Sequence, residues 1–219
     1  MKNLIKLTFS SHELFPDIEI INRGVFSDQF LKIGIKSFHD ACRWVHDLPY
    51  DYNSNMVDSM LIFTEKKGIC LTKHGAIARL AEELGLPIQK NIGLFRLNNE
   101  IYSGIENLLS KYGLDYIPQI DCFLKYNGHY VDLTEGNCTG KNKIIDEFDF
   151  IVPVAAEINM DDMINLYIEH IEKYSDFEPK FKTLGLEKIL SALSECTTEM
   201  QNRCCVTTNQ HAIQTIDAR

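Results

Sequence analysis

The chain has 219 residues, 45% of them hydrophobic, with a formal net charge of -9 and a pI near 5.2. A chain of this length buries roughly 70% of its unfolded surface, enough for a core without disulfide staples. The acidic balance without a basic run excludes nucleic acid and anionic membrane as main partners, and 12 Phe with 9 Tyr exclude a disordered chain.

No apolar stretch approaches the ~20 residues that cross a bilayer. The opening MKNLIKLTFSSHELFPD has a short apolar run broken by Lys6 and makes a poor secretory signal, so a cytoplasmic protein is expected. The cysteines are Cys42, Cys70, Cys122, Cys138, Cys196, Cys204 and Cys205. An odd count without CxxC spacing argues for reduced thiols rather than disulfides or a zinc knuckle. The reading is one domain over residues 1–205, followed by a loose polar tail over 206–219.

The elements follow in chain order. Residues 1–25 read as an irregular or strand-containing lead-in. Ser27 is expected to cap a helix running to Asp47, with Leu31, Ile35, Phe38, Cys42 and Val45 as its apolar stripe. A short helix is expected after Ser54, and another from Cys70 to Glu83, stopped by Gly85 and Pro87. Residues 88–97 read as a strand. Ser103 and Glu106 form a capping-box pattern for a short helix ending at Gly113. IDCFLKY and HYVDLT flank Asn127-Gly128, a strong type I′ hairpin signal. A strand over 148–158 and helices near 160–173 and 184–200 complete an α+β pattern.

The chemistry concentrates in KKGICLTKHGAIARLAEELG. Cys70 falls at a helix start, where unpaired backbone N–H groups and the positive dipole end favour a thiolate. A buried structural cysteine is the competing reading. A cysteine nucleophile needs a base, usually an imidazole oriented by a carboxylate. The hairpin register puts Asp121, Phe123, Tyr130 and Asp132 on one face, and Cys122, Leu124, His129 and Val131 on the other.

GIC at a helix start, followed by a hairpin with VDLT on its second strand, resembles the transglutaminase-like superfamily. PYDYN, GICLTKHGAIARLAEELGLPI, YIPQIDCFLKYNG and HYVDLT occur in the order seen in small bacterial members. The resemblance covers residues 30–135. It implies a papain-like cysteine fold, with a nucleophile helix on an antiparallel sheet and a Cys-His-Asp triad. Carried over by position, Cys70 is the nucleophile and Asp132 the orienting acid. The catalytic histidine falls on Asp121, which is the main departure. Natural loss, a repurposed site and an engineered change are all compatible with it.

A carboxylate beside Cys70 repels a thiolate, and two neighbouring carboxylates repel each other, so one of them keeps its proton. The expectation is an impaired triad acting on a small amide, a peptide or a protein side chain through a thioester. The alternative is a degenerate binding or scaffold protein on the same fold. His74, one turn after Cys70, is the accessory candidate, as a replacement base or as a structural histidine beneath the site. His129 points the wrong way. His39 and His46 read as packing or solvent-face residues. Lys66 and Lys67 either attract an acidic substrate or are a solvated pair, and Trp44 and Tyr50 either line a cleft or fill the core. Cys70, His74, Asp121 and Asp132 are also metal-ligand types, but only the Cys-His pair has ligand spacing, so no metal is expected. No cofactor is expected, and no calcium-loop spacing is visible.

Overall fold

The central helix α4, Cys70–Leu84, carries Ala76, Ile77, Leu80 and Ala81 fully buried. It ends where the sequence predicts, with Gly85 in the left-handed region at φ 73°. The computed structural model describes residues 5–6, 12–134, 141–145 and 147–216, with backbone alone over 5–6, 174–177 and 202–216. Cys138 lies outside the described residues, as do the side chains of Cys204 and Cys205.

The fold is α+β. A four-stranded antiparallel sheet has the order β4-β3-β2-β6, made from β2 Gln89–Leu97, β3 Ile117–Tyr126, β4 His129–Val131 and β6 Phe150–Pro153. A separate pair joins β1, Ile5–Lys6, to β5, Glu147–Phe148. The β3–β4 hairpin has the expected register, with Tyr126 opposite His129 and Leu124 opposite Val131. Asn127 and Gly128 both take positive φ, 46° and 81°, as a type I′ turn requires.

The long helix expected from Ser27 to Asp47 is two helices, α1 Val25–Lys32 and α2 Phe38–Asp47. Gly34 at φ 84° breaks the chain, and the Ser37 side chain starts α2 by accepting the Asp40 N–H. Apolar spacing continues across the break because both helices face the same core. Before α4, α3 is confined to Leu61–Glu65. After it come α5 Glu106–Lys111, α6 Met160–Phe177, α7 Pro179–Leu184 and α8 Leu186–Ile216. Ser103 does not cap α5; it accepts from the Asn142 side chain instead. The backbone of α8 continues well past the expected end near residue 200.

The chain divides into two compact units that draw on alternating stretches of sequence. Unit 1 is Met1–Gly93, Asp121–Asn137 and Asp146–Ile158; unit 2 is Leu94–Ile120, Cys138–Ile145 and Asn159–Arg219. In unit 1, Phe30, Phe38, Ile77, Leu80, Leu124, Val131, Leu133 and Ala156 belong to one buried cluster. Trp44 packs against it, stacked on Phe63 with ring centroids 5.5 Å apart. In unit 2, Tyr167 donates to the Pro118 carbonyl at 2.9 Å, and Glu195 accepts from Lys111 and Tyr112 at 2.7 Å each. No helix among the described residues is long and apolar enough to cross a membrane.

Candidate functional site

Cys70 is the first residue of α4, and the turn before it is held from several sides. The Thr72 hydroxyl oxygen accepts the Ile69 N–H at 3.1 Å and donates to Asn53 Oδ1 at 2.8 Å. Asn53 Nδ2 donates to the Lys67 carbonyl at 3.0 Å and to Glu65 at 2.9 Å. Tyr50 bridges Gly68 through the backbone, and the Gly68 N–H donates to the Pro49 carbonyl at 3.1 Å. PYDYN therefore wraps the GIC turn. Gly68 is needed by close approach: a Cβ there would lie 2.8 Å from Thr72 Oγ1 and 3.1 Å from Ile62. Cys70 itself is 6% exposed, whereas Cys42 and Cys122 are fully buried. Burial pushes the Cys42 thiol up, beyond any useful range.

The two lysines before the turn have local partners. Lys66 lies over the Trp44 ring, and Lys67 pairs with Asp51 at 3.0 Å. Trp44 is a packing residue, and Tyr50 contributes its backbone.

His74 is fully buried and meets Cys70 through the main chain, with Nδ1 2.8 Å from the Cys70 carbonyl oxygen. Its Nε2 accepts the Leu133 N–H at 2.8 Å and lies 3.4 Å from Asp132 Oδ1. The same Oδ1 accepts the Thr134 N–H and the Thr134 hydroxyl, each at 2.7 Å. Burial pushes the ring's pKa down, while its hydrogen-bonding neighbours Asp132 and Cys122 pull it up, to about 9. The Leu133 N–H works against that rise, because only an unprotonated nitrogen accepts it. The shorter contact decides the state shown: a neutral ring with its proton on Nδ1.

Asp121 is 4% exposed and accepts the Cys122 N–H at 2.9 Å. Strand alternation turns Cys122 to the side opposite Asp121. Leu124, two residues on, shares the buried cluster of α4, and Phe123 packs on Phe148 and Tyr130. Cys122, on the face opposite the one expected to carry the site, is thus a neighbour of His74. Asp132 and His74 come together, and Cys70 joins them through its carbonyl. His129 is exposed at the hairpin end.

Two further residues reach the site: His46, expected to pack or face solvent, and Lys73, which the sequence does not single out. His46 on α2 donates from Nδ1 to the Leu133 carbonyl at 3.0 Å. Lys73, fully buried, donates Nζ to the carbonyls of His46 and Leu48 at the end of α2. Burial lowers its pKa to about 8, against the attraction of Asp132 and Asp47. Its place in the apolar-rich segment that forms α4 is the visible signal, since a lysine aimed at a core must find acceptors. Among the described residues, no group of three or more His, Cys, Asp or Glu side chains is arranged to hold a metal. No known protein family, curated protein or solved structure matches the chain.

Proposed function

We propose that unit 1 carries a transglutaminase-like thiol site on a papain-like core, with Cys70 as the nucleophile and Asp132 as the orienting acid. The observation that supports this most is Cys70 as the first residue of a 15-residue helix, on a turn locked by Gly68, Thr72 and Asn53. Backbone N–H groups at that helix start favour both a thiolate and the oxyanion of an acyl intermediate. In the reaction, Cys70 Sγ bonds to a carboxamide carbon, the C–N bond breaks, and the amine leaves with a proton. Water or a second amine then takes the acyl group from the thioester and restores the thiol. The substrate class is a small amide, a peptide or a protein side-chain amide, and the steps call for no cofactor.

Asp121, in the position of the family's imidazole, weakens this chemistry. A carboxylate does not protonate a leaving amine as an imidazolium does, and general acid–base catalysis is worth about 10²–10⁴-fold. The burial of Asp121 and its bond to the Cys122 N–H favour a second reading, a binding or scaffold protein on the same core. Iodoacetamide alkylation of Cys70, followed by mass spectrometry from pH 5 to 9, separates the two. Alkylation at pH 6 faster than that of a free cysteine supports the enzyme. Alkylation no faster supports the binding protein. In the Asp121→His variant, restored thioester formation supports the site assignment even when the parent chain is inert.

A further inference from the structure

Leu133 is held between two histidines from different helices. Its N–H donates to His74 Nε2 at 2.8 Å, and its carbonyl accepts from His46 Nδ1 at 3.0 Å. Asp132 is the preceding residue, so its carboxylate is anchored to the same peptide. The Cys70 carbonyl can only accept, which fixes the neutral His74 proton on Nδ1. A second proton therefore has one place to go, Nε2, where it meets the Leu133 N–H head on. An acceptor lies near: Asp132 Oδ1, 3.4 Å away and at present held by Thr134.

We propose that His74 is a positioning residue with two states: neutral, it holds the Leu133 N–H; protonated, it releases that N–H and takes Asp132 Oδ1 instead, while His46 keeps the Leu133 carbonyl in both. The proton comes from solvent and stays on Nε2, and no covalent bond changes. The groups around the ring are Asp132 at the hairpin end, Cys122 on β3 with Asp121 next to it, Lys73 and Cys70 on α4, and His46 with Asp47 on α2. Asp132 and Cys122 favour the cation; burial and the Leu133 N–H oppose it. The contact itself stands on geometry. Its consequence for catalysis rests on reading Asp132 as the acid of the Cys70 site.

The test is NMR on the full ¹⁵N-labelled chain from pH 5.5 to 10, following the His74 ring nitrogens and the Leu133 and Thr134 amides. The expected result is one shared transition, absent in His74→Gln, whose side-chain oxygen can accept the Leu133 N–H without titrating. A Leu133 amide that stays fixed while the ring titrates overturns the proposal. So does a ring that never titrates in this range, or a transition that persists in His74→Gln. Where His74→Gln does not fold, the wild-type midpoints decide: coincidence supports the switch and separation overturns it. Cys70 alkylation is read separately, so an inert thiol with a coupled titration overturns the enzyme and keeps the switch.

Discussion

The Thr72 hydroxyl donates to Asn53 Oδ1 at 2.8 Å, joining two buried side chains 19 residues apart. Through it the PYDYN segment and the first turn of α4 hold each other. Replacing Asn53 by Ala leaves the Thr72 hydroxyl and the Lys67 carbonyl without this partner. The expected cost is about 1–3 kcal/mol, with a change in the Cys70 alkylation rate at constant pH. Chemical denaturation and a timed alkylation assay read the two effects. An unchanged alkylation rate would show that Asn53 supports the fold and not the thiol.

Gly75 lies where α4 meets Ser59, and a Cβ there would fall 2.0 Å from Ser59 Oγ and 3.2 Å from the Ala156 carbonyl. Gly75→Ala is expected to destabilise the chain by about 1–3 kcal/mol or more through overpacking, despite alanine's better helix propensity. Among the described residues, the buried Ser59 Oγ has no hydrogen-bond partner. Ser59→Ala is accordingly expected to gain about 1 kcal/mol. Urea midpoints of both variants check the pair.

Lys73 titrates near pH 8 in the fold, below its ordinary 10.5. Between those values the unfolded chain binds more protons than the folded one, so the Lys73 contribution to stability rises with pH. The difference in unfolding free energy between wild type and Lys73→Met is expected to grow from pH 8 to 10.5 and to stay flat from pH 6 to 7.5. A flat difference throughout would mean that Lys73 is not desolvated.

His74 has the opposite sign. Its folded pKa is raised to about 9 from 6.5, so the favourable contribution is complete below about pH 6.5 and is lost as pH climbs through 9. The stability of wild type relative to His74→Gln is expected to decline over that window. A difference that rises with pH would reverse the assignment and make the Leu133 N–H the stronger partner.

The parts legible in the sequence are those fixed by local rules. Cys70 at a helix start, Gly85 as its stop and the Asn127-Gly128 hairpin with its register all depend on neighbours in the chain. Periodicity failed where two helices share one apolar face, because nothing in the spacing of Leu31, Ile35 and Phe38 marks the left-handed Gly34 between them. The site's inner partners were harder still. His46 looked like a packing residue until α2 met the Leu133 carbonyl, 87 residues on. Alternation puts Cys122 and Asp121 on opposite faces of their strand, but which face turns toward α4 depends on tertiary packing. Nothing near Lys73 in the sequence marks the carbonyls of His46 and Leu48, which reach it from more than twenty residues away.

The interleaving of the two units sets an order of events during synthesis. The cluster that covers the inner face of α4 includes Leu124, Val131, Leu133 and Ala156. A nascent chain that has just completed α4 at Leu84 carries Cys70 but none of these covering residues. No N-terminal fragment ending before Ala156 contains the finished core. The helix that begins at Cys70 therefore leaves the ribosome more than seventy residues ahead of Ala156, the last residue of the core around it, and through that interval its thiol sits on an unfinished fold.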